Sequence, residues 1–413
     1  MNHVIIGNGV AAIGAIEAIR DVSKEDSITV ISDEPYHVYS KPILPKLVSR
    51  EAKIIWYRDE DFYKKNNITI LLGKKVKCID TDKKTVVFGQ EKINYDKLLI
   101  AVGGKPFIPS IKGSGDDVLT FTKMDDAIKL RESSAQTFVI IGAGLIGLKA
   151  AESLVKLGKN VTVVELADRV LATMADEKAS EIMENVLKEN SVNIILKNTV
   201  SEIRRPQNKI SSVILKDGQE LFCDAVIIAI GVRPNLEMIN KNIKTNKGII
   251  VNKCMETNIK DVYAAGDVAE AFDPLSNGNN VIPTWTNAYI HGNTAGYNMA
   301  GKTVENEGNY PMNVIEFFDV PIMSLGIVKA DNECEVLEKL KNRVYKKLII
   351  KNDAIIGAIL INEIDRAGII NGLIRNKTNA KNFKTKLIQD ELGFLLLPEY
   401  VRKQMLYEQG IQS

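Results

Sequence analysis

Two stretches of this chain have residue types and spacing suited to holding a phosphate. Val139-Ile140-Ile141-Gly142-Ala143-Gly144-Leu145-Ile146-Gly147 is an apolar run, a glycine turn and the opening of a helix. Val4-Ile5-Ile6-Gly7-Asn8-Gly9-Val10-Ala11-Ala12 carries the same pattern early in the chain, with Ala12 in place of the third glycine. In such a turn the first glycine permits the tight bend and the second lets the backbone approach a pyrophosphate. The third lets helix and strand pack, a role for which alanine is small enough. The helix N-terminus then presents free N–H groups and a partial positive charge to the anion. Gly7, Gly9, Val10, Ala11 and Ala12 form one candidate dinucleotide cradle, and Gly142, Gly144, Leu145, Ile146 and Gly147 form another. A lone turn of this kind often serves packing only. Two in one chain imply electrons passed from one dinucleotide to another.

Two acids extend these cradles. Glu34 and Glu165 each follow the strand after the glycine helix, where a carboxylate can accept hydrogen bonds from both hydroxyls of an adenosine ribose. Asp33 is the alternative to Glu34. A carboxylate at Glu165 would repel a 2′-phosphate and favours NADH over NADPH, while the nearby Arg169 pulls the other way. The four cysteines, Cys78, Cys223, Cys254 and Cys334, form no C-x-x-C pair and read as reduced, mostly buried thiols. No metal site is expected.

The elements that must position these groups form a repeat. Residues 3 to 7 and 28 to 31 read as buried parallel strands around a helix at 11 to 20. The loop from Pro35 to Lys46 holds three prolines and leads into a short helix. Gly73 to Ile79 and Thr85 to Phe88 read as a small antiparallel layer, and Tyr95 to Gly104 as another buried strand that stops at two glycines. The second copy has its helix up to Gly158, its strand at Val161 to Val164, a helix near 176 to 189 and a hairpin near 193 to 222. It closes with Cys223 to Gly231. Asp96 corresponds to Asp224 and Gly103 to Gly231, so three landmarks recur in order. The fold class is α/β, with two Rossmann-like dinucleotide-binding domains. Residues 311 to 413 read as a smaller α+β domain, with strands at 314–320, 322–327, 345–350 and 355–361 and helices at 364–375 and 383–409.

Composition sets the outer bounds. A length of 413 residues favours two or three domains. With 45% hydrophobic and 26% charged residues the chain is globular, and a net charge of +2 is too small to imply nucleic acid or a membrane surface. No apolar run reaches the roughly 18 residues of a membrane span. The first strand begins by Val4 and leaves no room for a signal peptide, so a cytoplasmic location is expected.

On these motifs the chain resembles the flavoprotein oxidoreductases with two dinucleotide-binding domains, one for FAD and one for NAD(P)H. The resemblance spans about residues 1 to 330. It includes Leu98 to Gly103 (an Ala-Thr-Gly motif with Val102 for Thr), Gly231-Val232-Arg233-Pro234-Asn235, and Tyr263-Ala264-Ala265-Gly266-Asp267-Val268. It implies that Asp267 holds the FAD ribityl chain and that Gly266, Ala101 and Gly103 line the same site. It also implies that Val76 meets the adenine and that Trp285 lies against the flavin, although Trp285 reads equally well as a core aromatic. The FAD domain would be discontinuous, residues 1–116 and 249–310. The NAD domain, 117–248, would carry Glu165 and Gly231, and residues 311–413 would form an interface domain.

The first FAD-side helix and the loop after Glu34 lack the cysteines of the disulfide-reducing branches. That loop, Tyr39-Ser40-Lys41-Pro42-Ile43-Leu44, resembles the Tyr-x-Arg-Pro-x-Leu segment of rubredoxin and ferredoxin reductases, with Lys41 for Arg. The implied activity is hydride transfer from NADH to FAD and then electron delivery to a rubredoxin, a ferredoxin or an iron–sulfur partner subunit. The rivals are direct reduction of oxygen or another small molecule, and a redox-sensing scaffold. A homodimer or a larger complex would use the C-terminal domain, where the apolar tail Leu392 to Pro398 suits either packing or partner docking. One departure stands out. Lys149 occupies a position where relatives often have a glutamate facing flavin and nicotinamide, and Lys46 sits where some relatives place that glutamate's lysine partner. Two lysines beside the ring would stabilise anionic reduced flavin. The plainer expectation is that Lys149 points to solvent.

Overall fold

Each apolar run before a glycine turn becomes an inner strand of a parallel sheet, as expected for strands buried on both faces. Asn2–Ile6 pairs in parallel with Ser27–Ile31 on one side and Lys97–Ile100 on the other. Ile68–Leu71 and Val262–Ala264 complete the five strands. Thr137–Ile141 lies in the same way between Asn160–Val164 and Ala225–Ile228, with Val192–Ile195 beyond. Val4, Ile5, Leu98, Leu99, Phe138 and Ile140 are fully buried. Each contributes about 1.5–3 kcal/mol of hydrophobic stabilisation. The paired acids now have a structural reason. Asp96 accepts the Asn2 N–H at 2.7 Å, and Asp224 accepts the Gln136 and Thr137 N–H groups, both at 2.9 Å. In both copies the carboxylate fastens the start of the glycine-turn strand.

The structure is a computed structural model and describes residues 1–54, 56–389 and 393–407. The chain forms two compact units. One comprises Met1–Phe107, Thr122–Met124 and Val232–Tyr310, the other Ile108–Phe121, Asp125–Gly231 and Pro311–Ser413. In the first unit, helices Val10–Val22 and Trp285–Met299 pack at backbone contact: a Cβ on Gly292 would lie 1.9 Å from the Ala11 carbonyl oxygen. A three-stranded antiparallel layer, Val76–Asp80, Thr85–Phe88 and Glu91–Asn94, sits beside the parallel sheet in sequence and belongs to the same unit. Its first strand begins at Val76 rather than Gly73, because Gly73 forms a turn.

The second unit joins the second parallel sheet to an antiparallel sheet in the order Met312–Phe317, Val320–Gly326, Ala354–Ile361, Val344–Lys351, Glu335–Lys341. Three of its connections are two-residue turns with both residues at positive φ: Phe318-Asp319, Asn342-Arg343 and Asn352-Asp353. These are primed hairpin turns, whose twist matches the strands they join.

Several sequence expectations need correction. Val192–Ile195 belongs to the parallel sheet, and the antiparallel part that follows is a meander of Val200–Arg204, Ser212–Leu215 and Glu220–Phe222. Glu335–Lys341 was not expected, since its charges mask the strand pattern. The expected helix at 383–409 is broken into Lys384–Ile388, a 3₁₀ turn Phe394–Leu396 and Glu399–Tyr407. Gly393 and Pro398 interrupt it, and residues 408 and 409 lie outside the described residues. So does Leu392 of the apolar tail, in which Leu395 is exposed and Leu397 buried. Of the cysteines only Cys223 is buried, and Cys78 is exposed.

Candidate functional site

In the first unit, Gly7 adopts φ +106°, and a Cβ there would lie 2.2 Å from the Ala101 carbonyl oxygen. Only glycine satisfies both conditions. Ala101 N–H in turn bonds the Ile6 carbonyl at 2.8 Å, which locks the two strand ends together. Gly9 is different. It is the N-cap of Val10–Val22, has extended backbone, bears no side-chain cap, and a Cβ on it would meet nothing within 4 Å. Neither backbone strain nor packing requires glycine there. The space beyond it and the uncapped N–H groups of Val10, Ala11 and Ala12 make an open anion cradle.

Other residues gather around this turn. Gly266–Val268 packs on it, since a Cβ on Gly266 would stand 3.4 Å from the Cβ atoms of Ala11 and Ala288. Burial pushes the Asp267 carboxyl above its ordinary range, and the Lys41 ammonium opposes that shift. The carboxyl therefore sits in a recess, while Lys41 is at the exposed start of Lys41–Ile43. Glu34 accepts the Tyr39 hydroxyl at 2.7 Å. Asp33 is exposed and paired with Lys123 at 2.8 Å, whereas Glu34 is half-buried. Val76 and Ala101 belong to the same hydrophobic core as Val10, Ala11 and Ala12, and Trp285 packs against it. Trp285 begins its helix and meets Tyr57 edge-on at 5.2 Å. The Gly103 carbonyl accepts the Asn235 N–H at 3.0 Å. Lys46 lies on the exposed side of Leu44–Val48.

Sequence reasoning missed a polar–aromatic brace. Asn8, inside the turn, accepts the Tyr63 hydroxyl at 2.6 Å and donates to the Tyr36 carbonyl at 3.3 Å. His37 lies 4.8 Å from the Tyr63 ring. The turn's own asparagine was the only available signal.

The second unit repeats the cradle. Gly142 has φ +107°, with a virtual Cβ 2.5 Å from the Ala229 carbonyl oxygen. Gly144 caps Leu145–Lys156 in an extended conformation and has open space where a Cβ would be. On Gly147 a Cβ would lie 2.0 Å from the Gly142 carbonyl oxygen, so here the third glycine cannot become alanine without moving the helix. Leu145 and Ile146 are partly exposed at the mouth, and Gly231 follows the closing strand. Glu165 accepts N–H groups from Ala143 at 2.6 Å and Ala167 at 2.8 Å, which fixes its carboxylate beside the turn.

Lys149 does not run out to solvent. Its ammonium pairs with Glu152, donates to the Glu316 carbonyl at 2.9 Å and lies 5.4 Å from the Phe317 ring centre. Glu152, which the sequence did not single out, is buried and also takes Lys156 at 3.2 Å and the Phe318 N–H at 3.1 Å. Among the described residues no group of three or more His, Cys, Asp or Glu could hold a metal, and no helix is long and apolar enough to cross a membrane.

Both cradles thus fit a pyrophosphate: a forced first glycine, an open second one and an uncapped helix end. Known proteins carry the same plan. The chain is 30% identical over 398 residues to nitrite reductase (NAD(P)H) of Bacillus subtilis, covering 94% of this chain and 49% of that protein. It is 30% identical over 408 residues to the NADH-dependent phenylglyoxylate dehydrogenase subunit epsilon of Aromatoleum evansii, covering 95% of each. The chain therefore spans about half of the first relative and nearly all of the second. The crystal structure of NADH:rubredoxin oxidoreductase from Clostridium acetobutylicum superposes with a TM-score of 0.78 at 26% identity, over 95% of this chain and 99% of that one. Residues 311–378 match the rubredoxin NAD+ reductase C-terminal domain. Residues 1–292 match the pyridine nucleotide-disulphide oxidoreductase family, and the chain belongs to it.

Proposed function

We propose that this protein is an FAD-dependent NADH oxidoreductase that delivers electrons to a protein acceptor. The observation that carries the reading is the pair of open second glycines, Gly9 and Gly144, each at an uncapped helix end in its own parallel sheet. Residues 1–107 with 232–310 would hold FAD, residues 125–231 would hold NADH, and residues 311–413 would serve an interface. These bounds follow the two compact units rather than the 1–116, 249–310 and 117–248 read from the sequence.

With both bound, NADH supplies a hydride to FAD, which supplies electrons singly to a rubredoxin, a ferredoxin or an iron–sulfur partner subunit. The chain's own residues bind and orient. The N–H groups after Gly9 and Gly144 neutralise the two pyrophosphates. Glu34, braced by Tyr39, accepts the FAD ribose hydroxyls. Asp267, in its recess, would hold the ribityl hydroxyls of FAD; burial raises its pKa and the Lys41 ammonium opposes that shift. Glu165 accepts the NADH ribose and disfavours a 2′-phosphate. Lys41 places a cation near Asp267, and Lys46 adds one on the helix that follows. No protein nucleophile is assigned: the first cysteine in the sequence is Cys78, far beyond the first glycine turn, and it is exposed.

The relatives support the choice of acceptor. One is named for rubredoxin, another is a subunit of a larger dehydrogenase. The test is anaerobic reduction of the FAD-loaded protein with NADH, followed by rubredoxin, ferredoxin, oxygen and disulfides in parallel. Rapid reoxidation by an iron protein is expected. Reoxidation by oxygen or a disulfide alone would replace this reading with a small-molecule reductase, and no turnover with any acceptor would replace it with a sensor or scaffold.

A further inference from the structure

The three primed turns of the C-terminal sheet do not use equivalent residues. Asn342 and Asn352 open two of them, at φ +48° and +51°. Asparagine tolerates this conformation. The first turn opens with Phe318, at φ +47°, followed by Asp319 at φ +64°. A bulky residue at positive φ is an outlier. It persists only where its surroundings hold it.

What holds it is the helix Leu145–Lys156. Glu152 accepts the Phe318 N–H at 3.1 Å, and Lys149 donates to the carbonyl of Glu316 at 2.9 Å, both on the hairpin Met312–Phe317/Val320–Gly326. Lys149 also reaches over the Phe317 ring, which is fully buried. Glu152 is 4% exposed and collects two ammonium groups besides the backbone N–H. A buried carboxylate with this many donors fixes geometry as well as charge. The same helix presents Gly144 and the first free N–H groups at its N-terminus. The hairpin and the anion cradle are therefore attached to one rigid rod, about two turns apart.

We propose that Lys149 and Glu152 are positioning residues for the nicotinamide dinucleotide: they clamp the strained turn at Phe318 and thereby set the placement of the cradle helix. The inference rests on the reading that this cradle binds NADH. Lys149 then acts on nucleotide binding, through Glu152 and the hairpin, whatever its distance from the flavin. A shift of well under an ångström at the helix end misaligns N–H groups aimed at a phosphate.

The test uses the full-length FAD-loaded protein and NAD+, so that binding is read without turnover. Glu152→Gln and Lys149→Met should each weaken NAD+ binding about tenfold, within the usual range for coupled sites, with FAD affinity unchanged. Lys149→Arg should restore most of the loss. Phe318→Asn, which supplies the residue used by the sister turns, should raise the melting temperature. If Glu152→Gln and Lys149→Met lower the melting temperature but leave NAD+ affinity within twofold of the parent, the pair is structural glue and the proposal fails. Gly144→Val separates the two readings. It should abolish NAD+ binding in any background, and survival of binding would overturn the cradle assignment itself.

Discussion

Gly144→Ala separates a glycine kept for the fold from one kept for a ligand. Gly144 has φ −81° and ψ −177°, ordinary extended backbone for any residue, and a Cβ would meet no protein atom within 4 Å. Alanine therefore fits the folded protein. By narrowing the unfolded ensemble it should stabilise the fold by about 0.4–1 kcal/mol, roughly 1–4 °C in melting temperature. The added methyl stands in the space left for the pyrophosphate. Displacing the phosphate from one N–H removes a charged hydrogen bond worth about 1.5–3 kcal/mol, which is about 10- to 150-fold in affinity. Calorimetry of unfolding and titration of the FAD-loaded protein with NAD+ measure the two effects separately. A variant that is as stable as the parent, or more so, and binds NAD+ at least tenfold more weakly is the expected result. A melting temperature several degrees lower would mean that Gly144 serves the fold. Unchanged NAD+ affinity would mean that no phosphate lies there. Gly9→Ala should act in the same way on FAD content.

Three further outcomes follow from the geometry. His291 is buried in Trp285–Met299, and burial depresses its pKa to about 4 from an ordinary 6.5. A depressed histidine contributes stability that is fully present above pH 6.5 and is lost as pH falls toward 4, by about 3 kcal/mol at 1.4 kcal/mol per unit. Urea unfolding from pH 7 to 4 should show this loss, and His291→Gln should flatten it; an equal slope in the variant would refute the assignment. Glu165→Gln should reduce the preference for NADH over NADPH by about tenfold, as one carboxylate charge at about 1.4 kcal/mol allows, read from kcat/KM with each nucleotide. Cys78 should react first with a thiol reagent, because burial pushes the Cys223 thiol up to about 12, and Cys78→Ser should leave acceptor reduction by NADH intact.

The parallel sheets and the two glycine turns were legible because their signals are local. Strands buried on both faces are unbroken apolar runs, and the turn needs glycine at fixed steps. The repeated Asp96 and Asp224 were visible as a pattern, though their role required the folded strands. The rest depends on partners distant in sequence. Glu335–Lys341 alternates poorly, since Glu338 and Glu335 are committed to Lys178 and Lys384. Glu152 looks like an ordinary charge on a helix until Phe318 arrives beside it. Tyr39 gives no hint in the chain that it joins Glu34 to the Met124 N–H, which it accepts at 3.1 Å.

The repeat also clarifies how two copies of one fold came to differ. Gly14 and Lys149 stand at the same step from their first glycines, and so do Glu17 and Glu152. On the first helix Gly14 lets Trp285–Met299 approach to backbone contact, because a Cβ would fall 2.5 Å from the Tyr289 carbonyl oxygen. Glu17 then pairs outward with Arg58 and the Tyr289 hydroxyl, both at 2.7 Å. On the second helix the equivalent residue is a lysine, which excludes a helix at that distance. The charge it brings is met instead by Glu152 of the same helix and by the Glu316 carbonyl of the C-terminal hairpin. Each copy keeps its inner face for the sheet and its N-terminus for a phosphate. The outer face alone selects what covers it: a helix from the same nucleotide domain in one case, a hairpin of the C-terminal domain in the other. Equivalent glutamates at Glu17 and Glu152 thus serve two different joints, and one residue of difference, glycine or lysine, decides which joint each helix can form.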